Sequence, residues 1–463
     1  MLGSGAVLAA AAVATLAATC AKALRRHSPE IRKRGVIVKD VTSRRLVARR
    51  VPAVAGDGVT LAGVPIAAGE ETRHFKIIGT TGTGKSTVIR ELLAAARARG
   101  DRAVVADPDG GYHARFFHRH RGDLLLNPFE RDSVKWDPFA EINDVYDVDQ
   151  LAGALIPSSG DPSASEWRGY ARTFLGAILR RSRETGSRSS SELWRLLSAA
   201  APEELRPLVE GTSAQPFLEG ENARMFSSIR SVAVSAMAAF DHVQRQRAAS
   251  FSVRQWVRRR SGSGVLFMPY KAAQIAALKS VIATWMRLAI FEALSGEENR
   301  DQRLWIVVDE LDALGPIDGL KDALARLRKF GGRCVLGFQS LAQVSGTYGA
   351  ADAQTIVENC GNTLILRCSG SEHGGTAQFA SRLIGDREVV RRQISRGSDR
   401  EAAWSASRAR RSKNTSEQHV TETAVMPSEI EQLPDFTGYL RTASSPAWLK
   451  VAFQRRSPRG NER

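Results

Sequence analysis

FKIIGTTGTGKSTVIRE, residues 75–91, joins an apolar strand, a glycine loop and the first turns of a helix in one unbroken run. Gly79, Gly84, Lys85 and Ser86 occupy every fixed position of G-x-x-x-x-G-K-[ST], the pattern of a phosphate-binding loop. Gly79, Gly82 and Gly84 let the backbone turn its N–H groups inward, and the helix that starts there adds the positive end of its dipole. Lys85 is placed to reach the β- and γ-phosphates of ATP and Ser86 to ligate Mg²⁺, with Thr80, Thr81 and Thr83 completing the loop and Thr87 near the α-phosphate.

Such a loop needs an acid to hold the metal. LWIVVDE, residues 304–310, is an apolar strand ending in two carboxylates. Asp309 is expected to hold Mg²⁺ through water and Glu310 to polarise the attacking water. The next apolar run, Cys334 to Phe338, ends in Gln339, where a polar side chain would sense the γ-phosphate.

The 463 residues carry a net charge of +17 and 43% hydrophobic content, enough for a large core and suited to a polyanionic partner such as DNA. Only twelve of the 66 basic residues are lysine, so arginine usage itself contributes to the balance. Cysteines at 20, 334, 360 and 368 have no metal-binding spacing, and the last three lie in or beside apolar runs, as small core residues do.

The run from Ala6 to Ala21 is apolar and is followed by Lys22, Arg25 and Arg26. Counted on to Leu24, about nineteen residues at roughly 1.5 Å each give about 28 Å, just enough to cross a bilayer. No positive charge precedes the run, which argues against a cleaved signal, and the basic cluster after it predicts a cytoplasmic remainder.

Residues 36–68 read as short β-like runs forming a small leading sheet. RAVVADP (102–108) is a second core strand followed by the turn DGGY, and Asp123 to Asn127 a further one. From Ser158 to about Arg260 the pattern turns helical, as an all-helical domain inserted between strands of the core. Strands and helices then alternate from 264 to 384, which predicts an α/β fold with a mainly parallel central sheet.

GTTGTGKS, VVADPDGGY, LLLNPF, VKWDPFAEI, LWIVVDELDALG, GFQSLAQV and MPSEIEQLPDFTGYL, in that order, resemble the TraD/TrwB-type conjugative coupling proteins, part of the FtsK/HerA group of P-loop ATPases. The resemblance runs from about residue 30 to 455. It implies a RecA-like ATPase, anchored in the bacterial inner membrane and hexameric, that binds DNA without sequence preference. Such proteins link relaxase-bound DNA to the subunits of a type IV secretion channel. The organisation it suggests is an anchor at 1–24, a nucleotide-binding domain at 25–157 and 262–455, the inserted helical domain at 158–261 and a tail at 456–463. Ring ATPases also borrow an arginine from a neighbouring subunit. Arg367 is the first candidate here and Arg328 the second. For DNA, the basic segment Arg387 to Lys413 and Arg258 to Arg260 are candidates, with Arg400 to Lys413 expected as a solvated face. Two rival readings share these residues: a HerA- or FtsK-like motor in repair or segregation, and a protein-recruiting adaptor of a secretion system.

Overall fold

The computed structural model describes residues 30–42, 58–259, 262–371, 374–398 and 411–454. The chain opens with β1 (Glu30–Gly35) and β2 (Ile37–Asp40), then a hairpin, β3 (Val59–Leu61) and β4 (Val64–Ile66). The core begins with β5 (Phe75–Ile78), β6 (Arg102–Pro108) and β7 (Leu124–Leu125). A long helical segment follows, framed by β8 (Lys135–Trp136) and β9 (Ser250–Phe251). The core resumes with β10 (Val265–Tyr270), β11 (Leu304–Val308), β12 (Gly332–Phe338) and β13 (Asn362–Ile365). Last come β14 (Asp386–Ser398), β15 (Arg411–Thr423), β16 (Thr437–Arg441) and β17 (Ala447–Ala452).

Ten strands form one sheet in the order β2-β17-β16-β13-β5-β12-β11-β6-β10-β7. Only β16 runs against the rest. The central strands are mostly apolar because both faces are covered; every residue of β5, β10, β11 and β12 is buried, Lys76 and Arg333 included. One face packs against the helix Lys85–Ala98 through Val88, Ile89, Leu92 and Leu93, and the other against the helix Ile275–Ser295 and the helical segment.

That segment starts at Val145, ahead of the boundary expected at Ser158. Asp147 accepts the N–H groups of Asn143 and Asp144 at 2.9 and 2.8 Å and so fixes the first turn. Val148, Leu151, Ala152 and Leu155 then line one buried stripe. Asp161 caps the 23-residue helix Pro162–Glu184 by accepting from Ala164 N–H at 3.0 Å. The two ends of the segment meet where β8 pairs in parallel with β9. Beside that seam the buried carboxylate of Glu141 accepts from Trp136 Nε1, Ser252 Oγ and the N–H groups of Val253 and Arg254 at 2.7 to 3.0 Å. Arg102, at the start of β6, donates to the carbonyls of Trp256, Val257 and Arg259 and lies 4.2 Å over the Trp256 ring. The helical segment is therefore tied to the central sheet by buried polar contacts as well as by a common apolar core.

Three expectations change. Among the described residues the leading runs do not join into one sheet, because β1 and β2 take their partners from the far end of the chain. β1 pairs with β14 and β2 with β17, while β3 and β4 pair only with each other. Residues 387–398 and 411–413, expected as part of a basic or solvated face, are strand: β14 and β15 pair along thirteen residues each. Arg258, a DNA candidate, is paired with Glu292 at 2.8 Å. The apolar run Ala6 to Ala21 lies outside the described residues, and no described helix is long and apolar enough to cross a membrane.

Candidate nucleotide site

β5 delivers the glycine loop to the C-terminal edge of the sheet, between the ends of β12 and β13. The neighbouring strands hold it in place: Gly79 N–H donates to Phe338 O at 3.3 Å and Thr80 N–H to Arg367 O at 2.9 Å. Gly82 and Gly84 have φ of 82° and 114°, left-handed values that a side chain resists. A Cβ at Gly84 would also stand 3.0 Å from the rings of Phe436 and Phe453, which meet edge-on behind the loop. The helix Lys85–Ala98 begins at once, so the N–H groups of its first turn face the loop.

Lys85 is buried at 7% exposure, and its Nζ donates to Gly79 O at 2.8 Å and Thr80 O at 3.4 Å. Burial lowers its pKa, against the pull of Asp309 and Glu310. The Ser86 hydroxyl donates to Asp309 Oδ2 at 2.6 Å, which joins loop and β11 although 223 residues separate them. The other carboxylate oxygen, Asp309 Oδ1, is buried without a hydrogen-bond partner. A serine hydroxyl and a carboxylate held together at the mouth of a phosphate loop are hard oxygen donors, and Ser86 and Asp309 would suit Mg²⁺.

Glu310 is half-buried beside this pair, and burial, reinforced by the charge of Asp309, raises its pKa. Gln339, at the end of β12, spans from the Glu310 carboxylate to the loop. Its Nε2 donates to Glu310 Oε1 at 3.4 Å and its Oε1 accepts from Thr81 Oγ1 at 3.1 Å. The structure thus brings together Lys85, Ser86, Asp309, Glu310 and Gln339. Arg367 sits beside the loop of its own chain: its carbonyl carries Thr80, and its side chain pairs with Asp435 at 2.7 Å. Arg328 is exposed in the turn before β12, at the other end of the sheet.

Tyr112 was not anticipated. The turn after β6 is built by Asp107, which accepts the N–H groups of Tyr112 and His113 at 3.0 and 2.6 Å, with Asp109 and Gly110 in left-handed conformation. Burial pushes Asp107 up to about 6. The turn sends Tyr112, 1% exposed, under the site, where its hydroxyl donates to Asp309 Oδ2 at 2.8 Å. Its sequence signal was present in DGGY, but only as a turn; nothing in that run announces a contact 197 residues away.

Comparison with known proteins adds three findings. A family model described as the type IV secretion-system coupling protein DNA-binding domain matches residues 58–454. Coupling protein TraD of Escherichia coli (strain K12) is 31% identical over 387 residues, covering 82% of this chain and 52% of TraD, so the chain spans about half the length of that relative. The plasmid coupling protein TrwB, solved with the non-hydrolysable ATP analogue ADPNP and with ADP and Mg²⁺, superposes in both cases with a TM-score of 0.77 at 31% identity, over 92% of this chain and 96% of TrwB.

Proposed function

The chain belongs to the type IV secretion-system coupling proteins, and from that premise we propose that it is an ATP-hydrolysing DNA translocase that delivers relaxase-bound DNA to a secretion channel during conjugation. The observation that carries the reading is the convergence of Lys85, Ser86, Asp309, Glu310 and Gln339 at one sheet edge. Lys85 and the loop N–H groups bind and orient the β- and γ-phosphates. Ser86 and Asp309 hold Mg²⁺, which when bound neutralises charge on the phosphate oxygens. Glu310, its pKa raised by burial, accepts the proton of the attacking water. Gln339, already bridging Glu310 and Thr81, responds to the presence or loss of the γ-phosphate. The solved states of TrwB with ADPNP and with ADP and Mg²⁺ support this ligand set.

A homohexameric ring would complete each site with an arginine from a neighbouring copy. A trans role for Arg367 requires its pair with Asp435 to open, whereas exposed Arg328 needs no such rearrangement. The apolar run at Ala6 to Ala21 with its basic flank supports anchoring in the inner membrane, with the bulk of the chain cytoplasmic. Relaxosome proteins and channel subunits are the protein partners in this reading.

The test is steady-state ATP hydrolysis by the full chain in lipid nanodiscs, with and without single- or double-stranded DNA at fixed salt, across protein concentration. Hydrolysis that rises with DNA and steeply with protein, and falls at least a hundredfold in Glu310→Gln, is expected. Hydrolysis indifferent to DNA and to Glu310→Gln overturns the assignment.

A further inference from the structure

Asp309 presents its two oxygens to very different surroundings. Oδ2 accepts two hydroxyls, from Ser86 at 2.6 Å and Tyr112 at 2.8 Å, whereas Oδ1 accepts none. Two donors on one oxygen fix the place of that oxygen. We propose that Tyr112 is a positioning residue for the metal site, its hydroxyl holding Asp309 Oδ2 so that the carboxylate keeps its place beside Ser86 and the phosphate loop. The inference rests on the Mg·nucleotide reading of this site.

The two hydroxyls have different fates when the cation arrives. Ser86 stands at the start of the helix Lys85–Ala98, beside the phosphate loop, and can turn its oxygen from the carboxylate to the cation. Tyr112 cannot follow. Its N–H is bound to Asp107 Oδ1 at 3.0 Å, its ring lies under the Arg90 guanidinium at 5.5 Å, and it is 1% exposed. It therefore remains on Oδ2 when Ser86 leaves and becomes the sole hydroxyl holding the plane of the carboxylate. A phenylalanine in its place preserves the ring packing and loses the hydroxyl's contacts with Asp309 and Ser86. Outer-shell partners of metal-binding carboxylates typically contribute ten- to a hundredfold to affinity.

The measurement is binding of fluorescent ADP to the full chain in nanodiscs, in EDTA and across a Mg²⁺ titration. Tyr112→Phe is expected to bind ADP in EDTA as the wild type does but to need at least tenfold more Mg²⁺ for half-maximal enhancement. In an Asp309→Asn background the same substitution should change nothing. An unchanged Mg²⁺ requirement in Tyr112→Phe overturns the inference and leaves the site reading intact, while a wild-type chain whose ADP binding ignores Mg²⁺ overturns the site reading itself. A second measurement does not depend on how Tyr112→Phe folds: 3-fluorotyrosine at position 112, watched by ¹⁹F NMR in the ADP-bound chain. A resonance that moves on adding Mg²⁺, and stays still in Asp309→Asn, is expected; one indifferent to Mg²⁺ in both overturns the inference.

Discussion

Lys76 lies in the middle of β5, one strand turn before the phosphate loop, with 5% of its surface exposed. Among the described residues its ammonium has no carboxylate partner in hydrogen-bond reach; Nζ donates to the carbonyls of Val357 at 2.8 Å and Cys360 at 2.6 Å, at the end of the helix Ala350–Glu358. Burial lowers its pKa from 10.5 to about 8. That drop corresponds to about 3 kcal/mol of preference for the neutral form in the folded chain. The sign follows by linkage. Below pH 8 both folded and unfolded chains hold the proton, and stability is indifferent to this group. Between pH 8 and 10.5 the folded chain has released a proton that the unfolded chain retains, so stability rises with pH by up to about 3 kcal/mol. Lys76→Met abolishes that rise. The variant also leaves two buried carbonyls without their donor, at about 1–3 kcal/mol each, while removing the cost of burying a charge. These terms oppose one another, so the difference from wild type near pH 7 is small and the pH dependence decides. Urea unfolding of both proteins at several pH values from 7 to 10, followed by tryptophan fluorescence, gives the comparison, and groups common to both chains cancel. The wild-type midpoint should climb relative to the variant above pH 8. A difference that stays flat to pH 10 would refute the reasoning and mean that the ammonium is solvated.

Three further outcomes are expected. His74 is buried and neutral, its Nδ1 accepting from Cys334 N–H at 3.0 Å and its Nε2 donating to Leu324 O at 3.1 Å, and burial lowers its pKa from 6.5 to about 4. Stability present above pH 6.5 is therefore lost as pH falls toward 4, by up to about 3 kcal/mol, and acid unfolding of His74→Gln should lack that component. Glu141→Gln replaces a carboxylate that accepts four donors by an amide whose NH₂ faces two of them, and should cost about 3 kcal/mol, read as a lower thermal midpoint. Gly84→Ala forces a side chain into φ 114° and against Phe436 and Phe453, so nucleotide binding should fall at least tenfold while circular dichroism stays that of the folded chain.

The core was legible because its signals are local. An apolar run, a glycine loop and a helix lie within seventeen residues, and fully buried parallel strands announce themselves as continuous apolar stretches. The edges were not legible, because their partners are remote. β1 and β2 look like any short β-run until β14 and β17, more than 350 residues later, take them up. β14 and β15 hid for another reason: charge dominates their composition, and Arg387, Arg391 and Glu422 satisfy one another across the pair, a pattern that in one dimension reads as solvated chain. At the site, the loop and Asp309 could be read from spacing alone, whereas Tyr112 required the turn that Asp107 builds.

The joint at β8 and β9 bears on how such an architecture arises. The chain enters the helical segment past Lys135 and Trp136 and comes back at Ser250 and Phe251, which pair with them as a two-stranded sheet of their own, so the two ends of the segment lie side by side. The packing goes further. Trp136 meets Trp285 and Phe240 edge-on, so a residue of the seam, one of the host helix and one of the insertion now share a single interior. Deletion of the insertion would strip one face of the sheet rather than restore an ancestor. The helical segment and the sheet share one interior, so a change of side-chain volume on either side of the joint is felt on the other.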